Sequence, residues 1–317
     1  MRLSFKFFRN KLREGLLIGF LTIGFSSSAT TVKSAKPELF IIDSYMIGWV
    51  TGLCTGKGQR WKCANELAAR KAKFDAKIWG GLFITDSNKT FVRKTGELFS
   101  RFLYETPQTL AGFMTAQFYN TYTKRVNSVE YELGATVLNM NVGWPGVSLG
   151  SYILADQRIK ATPFNKLYQH EFGHYLQSQR MGWAYLVRIG LPAIMSKGDH
   201  DKHPVEVSCN AEACLYFHKY FPSFEENGNY TDTIGWNYRF NPLPDSIGQP
   251  FPYRGDSLTC IDFSNAEHIL ELNSLVVKAS FIDYASWLCP PAPFFVGLYH
   301  SRRYNKEQAV VQGFEMK

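Results

Sequence analysis

Two histidines four positions apart constrain this chain more than any other feature, in the run His170-Glu171-Phe172-Gly173-His174. Residues at i and i+4 lie on one face of an α-helix, so we predict that the run is helical. The Cβ atoms of such a pair are roughly 6 Å apart, and both imidazoles can then reach one zinc ion at about 2.0–2.1 Å. Glu171 lies on the same side, where its carboxylate can reach a water on the metal. The pattern therefore predicts a metal site with a base beside it.

A catalytic zinc site needs a third protein ligand, which a carboxylate on a second helix can supply. Glu206 lies two residues after Pro204, a residue type that commonly starts a helix, and it is our predicted third ligand. Asn210, four residues further on, can accept a hydrogen bond from the Nδ1 of a zinc-bound histidine and fix its tautomer. We therefore expect Asn210 to support the site without touching the metal.

Other residues nearby compete for the role of third ligand. Glu212 is the main competitor, but the residue four positions after it is Tyr216, which suits the supporting role less well than an amide. His200 and His203 are alternative ligands, and we interpret them as loop residues or substrate contacts. We interpret His218 as a cation at the end of its helix.

Around the motif the sequence resembles a known family. The stretches that carry the resemblance are Leu167–Gln179, Met181–Leu186, Ile189–Pro192, Gly81–Phe83, Thr85-Asp86, Glu105–Leu110, Gly134–Val137, Leu149–Ile153, His203–Glu206, Asn210 and Asn241–Leu243. They resemble the HEYGH-type domain of Bacteroidetes proteins, some of which are associated with RHS repeats, over roughly residues 80–250. The resemblance implies a zinc peptidase of the gluzincin type, in which the two histidines and Glu206 bind the metal and Glu171 carries the catalysis. The family usually has Asp-Ala before the asparagine, whereas Ser208-Cys209 precede Asn210 here.

The intramembrane site-2 proteases also contain an HEFGH string, but they place it in an apolar spanning helix. Here polar residues flank the motif, and no twenty-residue apolar stretch contains it. We therefore exclude an intramembrane protease.

The predicted function is hydrolysis of peptide bonds in a peptide or protein substrate, by a zinc-activated water with Glu171 as the general base. The donor that stabilises the oxyanion stays open among Tyr216, His218 and Tyr253, and Val147–Ile153 is the strand expected to hold an extended substrate. Two alternatives belong to other classes. One is a non-catalytic zincin-like binding module of the cell envelope, and the other is an exported effector or toxin domain.

The first 29 residues have the pattern of an export signal. A basic Met1–Arg13 precedes the apolar Leu16–Phe25 and the small residues Ser26–Ala29. A ten-residue apolar run is too short to span a bilayer core of roughly 30 Å. We predict export to the periplasm, the cell surface or the medium, with no stable membrane span. The alternative is attachment to a membrane by an uncleaved N-terminal segment.

The cysteine content fits an oxidising compartment, because the chain has 6 cysteines, an even number. Cys54 and Cys63 could close a short turn. Cys260 and Cys289 could fix the C-terminal segment. Both pairings are guesses from spacing alone.

The net charge of +8 comes from 35 basic and 27 acidic residues, and part of the excess lies in the export signal. No Lys/Arg-rich run follows the signal. We therefore predict no nucleic-acid partner.

The order of the predicted elements indicates an α+β fold. Helices are predicted at Trp61–Trp79, Glu97–Tyr104 and Thr109–Tyr122 with an interruption at Pro107, from a Thr162-Pro163 cap to Gly182, and from Pro204 to Tyr220; strands are predicted within Ser128–Met140 and Val147–Leu154, and Leu39–Leu53 is predicted to be a buried element. We divide the chain into a signal (1–29), an N-terminal linker and helical segment (30–79), a zincin-like catalytic domain (80–255) and a C-terminal segment of unassigned role (256–317). In this domain two zinc-carrying helices would pack on a small mixed or antiparallel sheet, with additional helices on the N-terminal side.

Overall fold

The computed structural model describes residues 37–196, 200, 203–221, 266–285 and 292–311. Over these ranges the protein is α+β, as predicted, with helices and a mixed sheet of four strands. The described residues form two compact units. The first contains residues 37–101 and 109–161, and the second contains residues 102–108 and the described residues from 162 onward.

The helices that precede the sheet are α1 (Pro37–Thr55), α2 (Arg60–Gly80), α3 (Phe91–Leu103) and α4 (Thr106–Tyr122). Pro107 does not separate the two helices, contrary to the prediction, because it lies in the first turn of α4. Proline is tolerated there because the first N–H groups of a helix have no partner within the helix.

Helix α1 is only partly buried, which corrects the prediction that Leu39–Leu53 is a buried element. Its small residues Ser44, Gly48 and Gly52 are buried, with the two glycines close to α2. Large side chains cannot fit into so close a contact, so Met46 and Val50 are about half exposed instead.

Each of the two predicted strand regions folds as a hairpin. The strands are β1 (Val126–Glu132), β2 (Ala135–Met140), β3 (Gly146–Leu149) and β4 (Tyr152–Ala155), in the order β1-β2-β4-β3. The β1–β2 pair turns at Leu133 and Gly134, both with positive φ, as a tight hairpin turn requires. Strands β2 and β4 are parallel, and β3 lies at the edge of the sheet.

The core of the first unit lies between this sheet and helices α2 and α4. Phe74 and Ile78 of α2 and Phe113 of α4 pack with Leu138 and Tyr152 of the sheet. The hydroxyl of Tyr152 donates to the carbonyl of Ile78 at 2.8 Å, so this buried polar atom is satisfied.

A buried ion pair fixes α3 within the same unit. Arg101 Nη2 lies 2.8 Å from Glu97 Oε1, and both side chains are 1% exposed. The guanidinium also donates to the carbonyls of Gly81 and Gly134 at 2.9 and 2.6 Å. These additional hydrogen bonds offset part of the cost of burying the charged pair.

The second unit contains the helices that carry the predicted site. They are α5 (Lys166–Met181), a 3-10 turn (Gly182–Ala184), a π-helical turn (Leu186–Gly190), α6 (Leu191–Met195), α7 (Pro204–Tyr220), α8 (Ala266–Leu275), α9 (Phe281–Ala285) and α10 (Ala292–Val311). The start of α7 at Pro204 and its end at Tyr220 are as predicted.

The start of α5 differs from the prediction. The N-cap is Asn165, whose Oδ1 accepts from the Tyr168 N–H at 2.9 Å, and not Thr162. Asparagine caps a helix at least as well as threonine, and here it lies nearer the first buried residues of α5. Helix α5 ends at Gly182, as predicted, with φ 53°. A Cβ there would lie 2.3 Å from the Tyr104 ring. Glycine is therefore required both because no side chain fits and because φ is positive.

Residues 102–108 belong to the second unit because they hold the end of α5. Ser178 Oγ donates to Glu105 Oε2 at 2.9 Å, and Gln108 Nε2 donates to the carbonyl of Gly182 at 2.8 Å. Each of these side chains is buried, so the bonds form away from water.

No helix among the described residues is both long and apolar enough to cross a membrane. The residues of the predicted export signal lie outside the described ranges.

The guessed bond between Cys54 and Cys63 is wrong, because both thiols are free. Cys54 is exposed near the end of α1, whereas the side chain of Cys63 lies close to Gly56. Cys260 and Cys289 lie outside the described residues.

Candidate metal centre

Helices α5 and α7 meet at Gly173, within the run His170–His174. A Cβ built on Gly173 would lie 2.3 Å from the carbonyl oxygen of Cys209 and 2.6 Å from its Sγ. The absence of a side chain at Gly173 therefore lets the backbone of α7 lie directly against α5. This contact brings the side chains of the two helices into one place.

We expect the substitution Gly173→Ala to destabilise the protein. Overpacking costs up to about 3 kcal/mol, which exceeds the gain of about 1 kcal/mol from better helix propensity. The free energy of unfolding should fall by at least about 1 kcal/mol, as measured by urea denaturation. Gly96→Ala in α3 is the control, because no atom lies within 4 Å of a Cβ at that position and the change should be stabilising. Equal stability of the two variants would show that the close contact does not matter.

The structure brings together the three residues predicted to bind metal. Glu206 Oε2 lies 3.0 Å from Nε2 of His174 and 3.4 Å from Nε2 of His170. The two rings are nearly perpendicular, with centroids 5.1 Å apart. The carboxylate is 1% exposed, so its charge is removed from water and needs a nearby cation.

Both histidines are held by amide oxygens through their other ring nitrogen. His170 Nδ1 lies 3.0 Å from Asn210 Oδ1, and His174 Nδ1 lies 2.8 Å from Gln177 Oε1. An amide oxygen only accepts, so each Nδ1 carries the hydrogen. In the neutral rings the Nε2 lone pairs then face the carboxylate of Glu206. That arrangement is repulsive unless a proton or a metal ion lies between the atoms.

Two distances among the donor atoms fit zinc. Bonds of about 2.0–2.1 Å at tetrahedral angles place neighbouring donor atoms about 3.3 Å apart. The distances from Glu206 Oε2 to the two Nε2 atoms, 3.0 and 3.4 Å, bracket this value. Two imidazole nitrogens and one carboxylate oxygen are also a known donor set for catalytic zinc.

Cys209 is a second candidate for the third ligand. Its Sγ, together with one ring nitrogen each from His170 and His174, forms a group of possible metal donors within 4.8 Å of one another. However, Sγ lies 4.0 Å from His170 Nδ1, the nitrogen that faces Asn210, and it donates to the carbonyl of His170 at 3.0 Å. We therefore favour Glu206, which faces both Nε2 atoms.

Burial and charge act in opposite directions on the pKa values of the site. Burial alone would lower the pKa of His170 and His174, but the Cys209 thiol and the Glu206 carboxylate outweigh it and hold both pKa values well above the usual range. Burial alone would raise the pKa of Glu206, but the imidazoles around it hold that pKa well below its usual value. The site therefore attracts positive charge between these atoms, which a divalent cation could also supply.

The alternative metal ligands named from the sequence are Glu212, His203 and His200, and of these the structure brings His200 to the Glu206 carboxylate. The Glu212 carboxylate lies 3.4 Å from Arg180 Nη2, and burial raises the pKa of this carboxyl to about 8. His203 is fully buried and caps α7, since its Nδ1 accepts from the Val205 N–H at 3.4 Å. Burial lowers the pKa of His203 to about 4. His200 does reach the site, because its Nε2 lies 3.4 Å from Glu206 Oε1.

The predicted base is buried in the same region. Glu171 follows His170 on α5 and is 4% exposed. It lies within electrostatic reach of the Tyr185 phenol, which also senses His174 and Glu206. Burial raises the pKa of Tyr185 well above its usual value, so the phenol keeps its proton at neutral pH.

Three residues were candidates for the oxyanion donor: Tyr216, His218 and Tyr253. The ring of Tyr216 packs against Phe172 and Tyr220 in an aromatic cluster. His218 lies in the last turn of α7, as predicted, and Tyr253 is outside the described residues.

Sequence reasoning missed three side chains at this site: Gln177, Cys209 and Tyr185. Gln177 had a usable signal, since it lies three residues after His174 on the same helix and can therefore reach its ring. Cys209 comes three residues after Glu206, but its approach to α5 depends on Gly173. The position of Tyr185 depends on the turn that follows Gly182, which spacing does not reveal.

No protein-family model, no curated protein and no solved structure matches this chain.

Proposed function

We propose that this protein is a zinc-dependent metallopeptidase with a zincin-like catalytic site of the gluzincin type. His170, His174 and Glu206 would hold the zinc ion. The observation that carries the proposal is the convergence of both Nε2 atoms on one carboxylate oxygen, while amide oxygens hold both Nδ1 atoms. Two imidazole nitrogens and one carboxylate oxygen that meet at one point are the donor set of a catalytic zinc site, in which the metal takes the place of the ring protons.

Zinc, when bound, would lower the pKa of a water toward 7 and polarise the substrate carbonyl. Glu171 would take the proton of the attacking water and deliver it to the leaving amine. Asn210 and Gln177 would keep the two histidines in the tautomer that leaves Nε2 for the metal. The residues of the chain thus account for ligation, proton transfer and ligand orientation.

The Tyr185 phenol is our candidate for the donor that stabilises the oxyanion. It is 3% exposed and within electrostatic reach of both Glu171 and the metal ligands. A neutral phenol in a site that excludes water can donate a hydrogen bond to developing negative charge without reorganising.

The substrate class is peptides or proteins, in the periplasm, at the cell surface or in the medium. The export signal predicted in the first 29 residues supports this location.

The test is elemental analysis of the purified full-length chain, followed by digestion of a peptide library with and without a zinc chelator. We expect one zinc per chain, cleavage of some peptides, loss of cleavage with the chelator and recovery on adding zinc. Cleavage that survives complete removal of zinc would contradict the proposal. Zinc without cleavage of any peptide would favour the binding module instead.

A further inference from the structure

The second oxygen of the Glu206 carboxylate has its own partner. Glu206 Oε1 lies 3.4 Å from Nε2 of His200, while Oε2 faces the other two histidines. His200 Nδ1 in turn lies 2.7 Å from the hydroxyl of Ser196, which ends α6. Ser196, His200 and Glu206 therefore form a chain of contacts that runs from α6 to the metal centre.

The tautomer of His200 follows from these two contacts. A ring nitrogen that faces a carboxylate oxygen is stable there only with a hydrogen, so Nε2 is the protonated nitrogen. Nδ1 of the neutral ring then accepts a hydrogen bond from the Ser196 hydroxyl. Ser196 is 6% exposed, and its own position is fixed by the backbone bond from its N–H to the Ala193 carbonyl at 3.3 Å.

His200 differs in exposure from the two histidines of the motif. Its side chain is 42% exposed, against 12% for His170 and 11% for His174. It faces Oε1 of Glu206, whereas the motif histidines face Oε2. Its backbone is fixed as well, because the His203 N–H donates to the His200 carbonyl at 3.0 Å.

We propose that Ser196 and His200 position Glu206 for metal binding by holding its Oε1, so that Oε2 is directed at the metal. This inference rests on the zinc site proposed above and assigns two positioning residues to it. Partners that orient a ligating carboxylate commonly change metal affinity by about 10–100-fold when they are removed.

The rival role for His200 is that of a direct metal ligand. Glutamine can take the place of His200 in the positioning role but not as a metal ligand. The Nε2 group of glutamine can donate to Glu206 Oε1 much as the imidazole does, but an amide is a poor substitute for a nitrogen ligand. His200→Gln therefore separates positioning from ligation.

The experiment measures zinc affinity of the full-length chain by competition with a chromophoric chelator, and the absorption spectrum of the cobalt-substituted protein. We expect His200→Phe to bind zinc about 10–100-fold more weakly, and His200→Gln to stay within about threefold of the wild type with an unchanged cobalt spectrum. Ser196→Ala should weaken binding severalfold, while Ser196→Thr, which keeps the hydroxyl, should not. If His200→Phe does not fold, the comparison of the two Ser196 variants decides the question.

Three outcomes overturn the inference. Wild-type zinc affinity in His200→Phe would show that His200 does not act on the site. Equal loss in His200→Gln and His200→Phe, with an altered cobalt spectrum, would make His200 a ligand. Equal affinities of the two Ser196 variants would remove Ser196 from the chain of contacts. Failure of the proposed function looks different: zinc that binds as described but cleaves no peptide refutes the peptidase and leaves the positioning role intact.

Discussion

Glu171→Gln is expected to bind zinc as tightly as the wild type and to hydrolyse peptides about 10²–10⁴-fold more slowly. Glutamine keeps the shape and burial of the side chain but cannot accept the proton of the attacking water. The metal ligands are untouched, so elemental analysis should still find one zinc per chain. The measurement is kcat on any peptide that the wild type cleaves.

The matched control is Glu212→Gln, the same change at a buried position on α7. Because burial raises the pKa of Glu212 to about 8, its carboxyl is largely protonated at pH 7, and glutamine replaces one neutral group by another. Near wild-type kcat is expected for this variant. Equal turnover by the wild type and Glu171→Gln would refute the base, and loss of zinc in Glu212→Gln would reopen the choice of third ligand.

The part of the site that could be predicted from sequence depends on short spacings. Within a helix, spacing fixes which residues share a face, so the sequence alone predicts that His170 and His174 lie next to each other. The same reasoning on the second helix placed Asn210 one turn from Glu206. The structure then brings Asn210 to the ring of His170 at 3.0 Å, because the two helices lie side by side.

The hairpins and helix starts were harder because competing local signals have similar strengths. The Val, Tyr and Thr content of Ser128–Met140 indicates a strand, but only the positive φ at Leu133 and Gly134 makes it two strands. Thr162 and Asn165 are both good N-caps, and packing of the first helical residues decides between them.

The remaining features depend on contacts between residues distant in sequence. Residues 102–108 join the second unit through Glu105 and Gln108, whose partners lie some seventy positions later. The contact of His200 with Glu206 depends on how the chain runs between α6 and α7. No periodicity in the sequence carries this information.

Glu206→Gln is expected to weaken zinc binding by more than the roughly 10–100-fold typical of removing a supporting partner, because it removes the charge of a direct ligand. Zinc also stabilises the fold by mass action, so a 100-fold weaker site loses about 2.7 kcal/mol of that stabilisation at a fixed zinc concentration in excess. The measurements are zinc affinity by chelator competition and the shift of Tm on adding zinc. The Tm shift seen with the wild type should largely disappear in the variant.

Cys209→Ser tests the competing ligand with the smallest possible change. The Cys209 thiol donates to the His170 carbonyl, and a serine hydroxyl can make the same bond, so the contact between α5 and α7 should persist. If Glu206 is the third ligand, Cys209→Ser keeps its zinc affinity and its Tm shift. If zinc is lost in Cys209→Ser and retained in Glu206→Gln, the metal lies instead among His170, His174 and Cys209, on the Nδ1 side of His170. The tautomer of His170 inferred from Asn210 would then have to be reversed.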